Sequence, residues 1–213
     1  AWLAGHPAAA PSAASFEQLT FRRGRIGGAR FASREQAVVY SEARPVYKDE
    51  KQQNQLEVLR VELTGSPQSR PLGLVDADVL AAGPGDLALS LHRRYVGGRR
   101  FVGTLATVGS DTLPHELAND VEEADWDAAG ANFVIARRTG GGGESALEYP
   151  IGTTLYATAG SIRSPRMSPD GRQIAFFEDP SGHGGGGRVV VIDLARQRRE
   201  LTDHWPSVRG LAW

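Results

Sequence analysis

Short apolar runs recur along the chain, each preceded by one bulky apolar residue and a polar turn. Phe31 precedes the run opening at Val38, Leu80 the run at Leu87, Trp126 the run at Phe133 and Met167 the run at Ile174. Each offset is seven residues, and Trp213 stands where a fifth copy opens. The anchors lie 49, 46, 41 and 46 residues apart, near the ~40–45 residues of one four-stranded propeller blade. A second spacing supports the first: Leu19, Leu155 and Leu201 each lie twelve residues before an anchor, namely Phe31, Met167 and Trp213.

Within each copy the first strand carries the anchor. The second is a continuous apolar run, as expected of a strand covered on both faces by neighbouring sheets. In the fourth copy the turn between them is Pro169-Asp170-Gly171, where glycine tolerates positive φ and aspartate can bond its own backbone. Gly130 takes the same place in the third copy, and Glu35 and Pro84 in the first two. Third strands follow at 56–63, 101–108, 144–150 and 188–194, and the fourth strands are short and polar-edged, as outer strands facing water must be. With β-branched runs, turn punctuation and no long stretch at helical spacing, the pattern predicts an all-β chain. The expected architecture is a β-propeller of four nearly complete blades, with a leading outer strand and the opening of a fifth. Such an incomplete ring reads as a fragment of a larger one. Residues 16–213 carry the blades; residues 1–15, Ala/Pro/Ser-rich after a possible membrane-span stub "AWLAG", read as a linker.

Composition narrows the function. A net charge of -1 over 213 residues provides no overall field for nucleic acid, and the absence of cysteine removes disulfides, thiolate nucleophiles and Cys-ligated zinc. No apolar run approaches the ~18 residues of a membrane helix.

Several stretches invite chemistry. The glycine runs 140–143 and 184–187 lack the Gly-Lys-Ser/Thr of a phosphate loop and fall between strands two and three, where a hairpin tip is needed. "HELAN" (His115 to Asn119) has Asn119 where a second zinc-ligating His would stand, so strand four is the favoured reading. "DVEEADWD" gathers Asp120, Glu122, Glu123, Asp125 and Asp127 without the spacing of a calcium loop, and reads as a solvated acidic loop between blades. Arginine pairs at 22–23, 93–94, 99–100, 137–138 and 198–199 recur near strand ends. Salt bridges between neighbouring blades are the favoured reading; a ring of guanidinium groups receiving an anion at one mouth is the alternative. The histidines (His6, His92, His115, His183, His204) are scattered, and no Gly-x-Ser-x-Gly is present. No residue is nominated as catalytic, cofactor-binding or metal-ligating, and the ligand-binding residues stay open.

"SPDGRQIAFFEDP" and the recurring "LT" strand ends resemble the TolB-like, WD-repeat-related β-propellers of bacteria, over Phe16 to Trp213. More narrowly, "LTFRRGRIGGARF", "LEYPIGTTLYATAGSIRSPRMSPDG" and "GLAW" look like the propeller that follows the membrane span in bacterial eukaryote-like Ser/Thr protein kinases. That resemblance implies a non-catalytic sensing or protein-binding module, periplasmic or extracytoplasmic, anchored through an upstream span. It implies a protein or small-molecule ligand at a propeller mouth; no cofactor is expected, and the charge balance gives no expectation of nucleic acid. The chain departs from the kinase pattern in lacking Asp-Phe-Gly and His-Arg-Asp, with Lys48 and Lys51 its only lysines. Two alternatives stand beside it: the substrate-gating propeller of a prolyl-oligopeptidase-type serine hydrolase, and a TolB-like partner in periplasmic transport.

Overall fold

The computed structural model describes residues 15–32, 36–48, 51–65, 68–98, 100–109, 113–140, 143–182 and 185–213. Most of residues 1–15, the stretch read as a linker, lies outside them with His6, as do Glu35, Arg99, Gly141, Gly142, His183 and Gly184. The described residues form strands and no helix.

The first sheet runs in order β1 (Arg25–Ala32), β2 (Ala37–Lys48), β3 (Lys51–Glu62) and β4 (Arg70–Val75). The last runs β12 (Ser161–Met167), β13 (Gln173–Asp179), β14 (Arg188–Asp193) and β15 (Arg198–Glu200). Between them lies a seven-stranded sheet: β5 (Asp78–Ala82), β6 (Leu87–Gly97), β7 (Arg100–Val108), β8 (His115–Trp126), β9 (Phe133–Arg138), β10 (Ser145–Glu148) and β11 (Thr154–Thr158). This sheet is two blades joined through β8. The N-terminal part of β8 pairs with β7 (His115 opposite Thr107), and its C-terminal part with β9 (Trp126 opposite Phe133). The joint is marked by Asp120 at φ 59°, a left-handed conformation that Asp tolerates better than most residues. β8 is thus both the outer strand of blade two and the inner strand of blade three. The acidic stretch read as a loop between blades is therefore strand: Glu122 is buried, and only Asp127 begins the following turn.

Three anchors hold the expected register: Phe31 opposite Val38, Trp126 opposite Phe133 and Met167 opposite Ile174. The second blade differs. There Ala82 faces Leu87, across a tighter hairpin closed by the Gly83 amide on Asp86 O (2.8 Å). A bulge between Val79 and Ala81 turns Leu80 to the other face, where it is buried toward blade three, and Ala82 takes the anchor's place against blade one.

Apolar faces meet between consecutive sheets. Val39 and Val58 of blade one pack with Val79 and Leu89 of blade two. Leu80 and Leu105 pack with Val121, Phe133 and Ile135 of blade three, with the Trp126 ring 4.0 Å from that of Phe133. Val134 and Leu147 pack with Ile162, Met167, Ile174 and Phe176 of blade four. Each such side chain, fully buried, contributes roughly 1.5–3 kcal/mol.

Trp126 and Met167 face the preceding blade, which explains why Phe31 departs from the expected core. Phe31 has no described blade before it and is 67% exposed, and Trp213 is 53% exposed, its indole N–H donating to Arg166 O at 3.0 Å. The expected leading outer strand is not one: residues 15–23 form no ladder. Leu19 nevertheless lies over Tyr40, Leu59 and Val61 of blade one, as Leu155 of β11 lies over blade four.

Candidate binding site at the axial mouth

In a blade of antiparallel strands, the start of strand one and the hairpin between strands two and three lie at the same end. All four inner strands open there onto one cavity of about 830 Å³. β1 contributes Arg25 to Gly28 and Arg30, β5 Asp78 to Leu80, β8 Glu122 and Glu123, and β12 Arg163, Ser164 and Arg166. Arg93, Arg100 and Phe101 reach in from the long β6–β7 hairpin, and residues 207–210 close the side beyond blade four. The inner-strand contributions recur in register. Gly27, Asp78, Glu122 and Arg163 each stand four residues before the residue that pairs with the opening of strand two, and Arg30 and Arg166 stand one before it, the place that Asp125 takes in blade three outside the lining.

The charge of this cavity differs from that of the chain. Its described lining carries seven arginines against three carboxylates, whereas the whole chain carries 24 Lys and Arg against 25 Asp and Glu. Asp78 binds Arg93 Nη1 at 2.6 Å, accepts from the Gly28 amide at 2.8 Å and from the Ser41 hydroxyl, and so joins blades one and two. Arg93 also lies over the Phe101 ring at 4.4 Å, a cation–π contact. Burial lowers the Arg93 pKa and Asp78 opposes the shift. Burial likewise lowers that of Arg30, and Arg166 across the axis lowers it further. Glu122 and Asp125 shift the other way: burial raises both carboxyls, with Arg100 opposing at Glu122 and Arg166 opposing at Asp125. Arg100 is 8% exposed, its Nη1 3.6 Å from Glu122 Oε1, and its Nε and Nη1 have no hydrogen-bond partner.

Away from the axis, arginines close salt bridges, as expected. The pairs lie within blades, however, rather than between them: Arg22 with Glu42 (2.9 Å), Arg94 with Asp120, Arg137 with Glu148 (2.8 Å), and Arg198 with Glu178 (2.7 Å). Strands within a blade are ~4.8 Å apart and facing sheets ~10 Å, so a guanidinium finds a carboxylate on its own sheet first. Glu42 and Glu178 occupy the same repeat position, four residues after the opening of strand two, and both are buried. Glu178 accepts from Tyr156 and from Arg188 (2.9 Å). Burial alone would raise its carboxyl, but these bonds and that from Arg198 hold it below the ordinary glutamate value.

"HELAN" lies in β8 as an outer strand, with His92 Nε2 3.3 Å from Glu116. The described glycines 140, 143 and 185–187 fall between strands two and three of their blades. Among the described residues no group of His, Cys, Asp and Glu is placed to hold a metal ion, and no helix is long and apolar enough to cross a membrane. The single arginines of the axis, Arg30, Arg163 and Arg166, escape a reading that looks for arginine pairs. The signal that finds them is a charged residue one position before Phe31, Trp126 and Met167, and four before Ala82, Trp126 and Met167.

No family model matches the chain. The Tol-Pal system protein TolB of Xylella fastidiosa (strain M12) is 28% identical over 127 residues, covering 54% of this chain and 28% of the relative. TolB of Xanthomonas oryzae pv. oryzae (strain PXO99A) is 25% identical over 126 residues, again covering 28% of its length. The matched part thus spans little more than a quarter of these curated relatives. The crystal structure of TolB from Acinetobacter baumannii superposes with a TM-score of 0.61 at 16% identity, over 86% of this chain and 45% of that one. Acylaminoacyl peptidase from Pyrococcus horikoshii superposes at 0.52 with 8% identity, over 86% of this chain and 33% of that one, which shows a shared fold alone. Sheets stacked in register about one cavity, with a likeness to TolB in sequence over about half the chain and in fold over most of it, give the chain a TolB-like β-propeller fold.

Proposed function

We propose that the chain is a non-catalytic binding module acting outside the cytoplasm, which receives a partner protein at the axial mouth. The observation that carries this reading is the concentration of charge and aromatic surface at one end of the blades. Arg93, Arg94, Tyr95 and Phe101 of the β6–β7 hairpin stand beside the cavity, with Tyr95 64% exposed and packed edge-on against Phe101. The opposite rim carries tight polar turns, Asp127–Asn132 and Ser168–Gln173. Aromatic and arginine side chains are the usual anchors of protein interfaces. The likeness to a Tol-Pal system component supports a periplasmic setting and a protein partner.

A photo-crosslinking amino acid placed at Tyr95 in the full-length protein, in its own cells, tests the reading. Specific adducts are expected from that position and none from Arg172 on the opposite rim. Equal labelling from both positions contradicts it. An alkaline phosphatase fusion, active only outside the cytoplasm, tests the location. Attachment to a membrane-anchored Ser/Thr kinase rests on the phrases shared with kinase-linked propellers, and a kinase domain and membrane span encoded upstream in the same open reading frame would support it. A Gly-x-Ser-x-Gly encoded downstream would favour the hydrolase alternative.

A further inference from the structure

The cavity behind the mouth is lined by more arginines than carboxylates. We infer that it recognises a ligand carrying at least two carboxylate or phosphate groups, held by Arg30, Arg100, Arg163 and Arg166; this rests on the mouth being a binding face.

Three observations point the same way. First, charge is segregated: a chain of net charge -1 lines this one cavity with four more positive than negative groups among its described residues. Second, its guanidinium groups are incompletely paired. Arg100 is more than nine-tenths buried with no hydrogen bond to Nε or Nη1, the latter 3.6 Å from Glu122 Oε1, and Arg30 and Arg163 each leave a buried Nε without a hydrogen-bond partner. Buried donors are nearly always satisfied, so unpaired guanidinium donors around one cavity favour an acceptor brought from outside. Third, the hydrogen bonds that some of these arginines make go to neutral carbonyls, and the carboxylates facing them from blade three, Asp125 toward Arg30 and Arg166 and Glu122 toward Arg100 and Arg163, are fewer than the guanidinium groups. Arg30 donates to Ala29 O at 2.8 Å, Arg166 to Pro165 O at 2.7 Å and to Leu211 O at 3.1 Å, and Arg163 to Gly186 O. A guanidinium tied by one edge to neutral carbonyls retains its charge and its other donors for an oxyanion. Because the arginines come from blades one, two and four, one anionic group would meet only part of the set, whereas two or more would bridge it.

The test is isothermal titration calorimetry of the folded chain at low ionic strength with citrate, with hexaglutamate and with inorganic phosphate. Saturable binding of citrate or hexaglutamate at one site per chain is expected, tighter than that of phosphate and weakened by added salt. Citrate binding identifies a free small anion as sufficient; binding of hexaglutamate alone identifies carboxylates borne by a polypeptide. Arg30→Gln and Arg163→Gln are each expected to weaken binding about tenfold, and Glu123→Gln, which removes a competing carboxylate, to strengthen it. Thermal unfolding verifies that the variants fold, and the opposite sign of Glu123→Gln guards against non-specific damage. Absence of saturable binding of both polyanions, or binding indifferent to Arg30→Gln and Arg163→Gln, overturns the inference. Those outcomes leave the Tyr95 crosslinking result intact, so loss of the anion site and loss of the binding face are separately visible.

Discussion

Glu178 shows how a single residue can stabilise a blade. Its carboxylate lies inside blade four, where Arg188 and Arg198 of the same sheet and Tyr156 of the preceding blade all donate to it. Its pKa in the fold is below the ordinary value of ~4.3. The folded state therefore prefers the ionised form, and the stabilisation is present above the unfolded-state pKa and lost as pH falls through the folded one. Glu178→Gln is expected to cost about 1.5–3 kcal/mol at pH 7 and to flatten the acid limb of the stability curve, as read by urea unfolding at a series of pH values. Glu122 and Asp125 act with the opposite sign. Burial raises both carboxyls, so they favour the fold when protonated and weigh against it at neutral pH. Anchors also differ by neighbour. Met167, 7% exposed between blades three and four, should lose about 2–5 kcal/mol on truncation to Ala. Phe31→Ala should lose under ~1 kcal/mol, because the same repeat position there is 67% exposed.

At the scale of the element, the hairpins joining strands one and two show what the sequence discloses and what it conceals. Gly130 and Gly171 have φ of 69° and 71°, and in both turns the glycine amide donates back at 2.9 Å, to Asp127 O and Ser168 O. The match extends to side chains: Asp127 accepts from the Ala131 amide at 2.8 Å, and Ser168 from the Gln173 amide at 2.9 Å. These two turns are legible from Asp, Gly and spacing alone. The neighbours of the turns are not. A Cβ on Gly130 would lie 2.7 Å from Pro84 of the adjacent blade, whereas one on Gly171 would meet Ala128 at 3.6 Å. Gly171→Ala should cost about 1–2 kcal/mol for the left-handed backbone, and Gly130→Ala roughly 1–3 kcal/mol more for the clash, measured by chemical denaturation. The shorter hairpin of blade two was hidden for another reason. A bulge at Val79–Ala81 puts Leu80 and Ala82 on opposite faces, Leu80 toward blade three and Ala82 toward blade one, and both faces are apolar, so the apolar pattern cannot separate them. The acidic stretch misled because charge in sequence reads as solvent, whereas in a propeller an inner strand can bury charge against the axis.

For the molecule as a whole, stability comes from sheet-on-sheet contacts between consecutive blades, and each blade meets only its neighbours. In such a stack the elements with two neighbours are the last to open. Amide hydrogen exchange should therefore be slowest in β6, β7 and β9, within the two central blades, and fastest in β15, whose residues are exposed. The repeat was legible in the sequence because the second strand of every blade buries the same positions, Val39, Ala88, Val134 and Ala175 and the residue after each. The mouth was not, because its chemistry depends on arginines from different blades meeting across an axis that no local pattern reveals. The account as a whole rests on that axis. A crystal structure of the chain tests it most directly: Phe31, Ala82, Trp126 and Met167 should superpose by successive rotations about one line running through the arginine-lined cavity. Inner strands that share no axis, or Arg30 and Arg166 pointing away from each other, would contradict it.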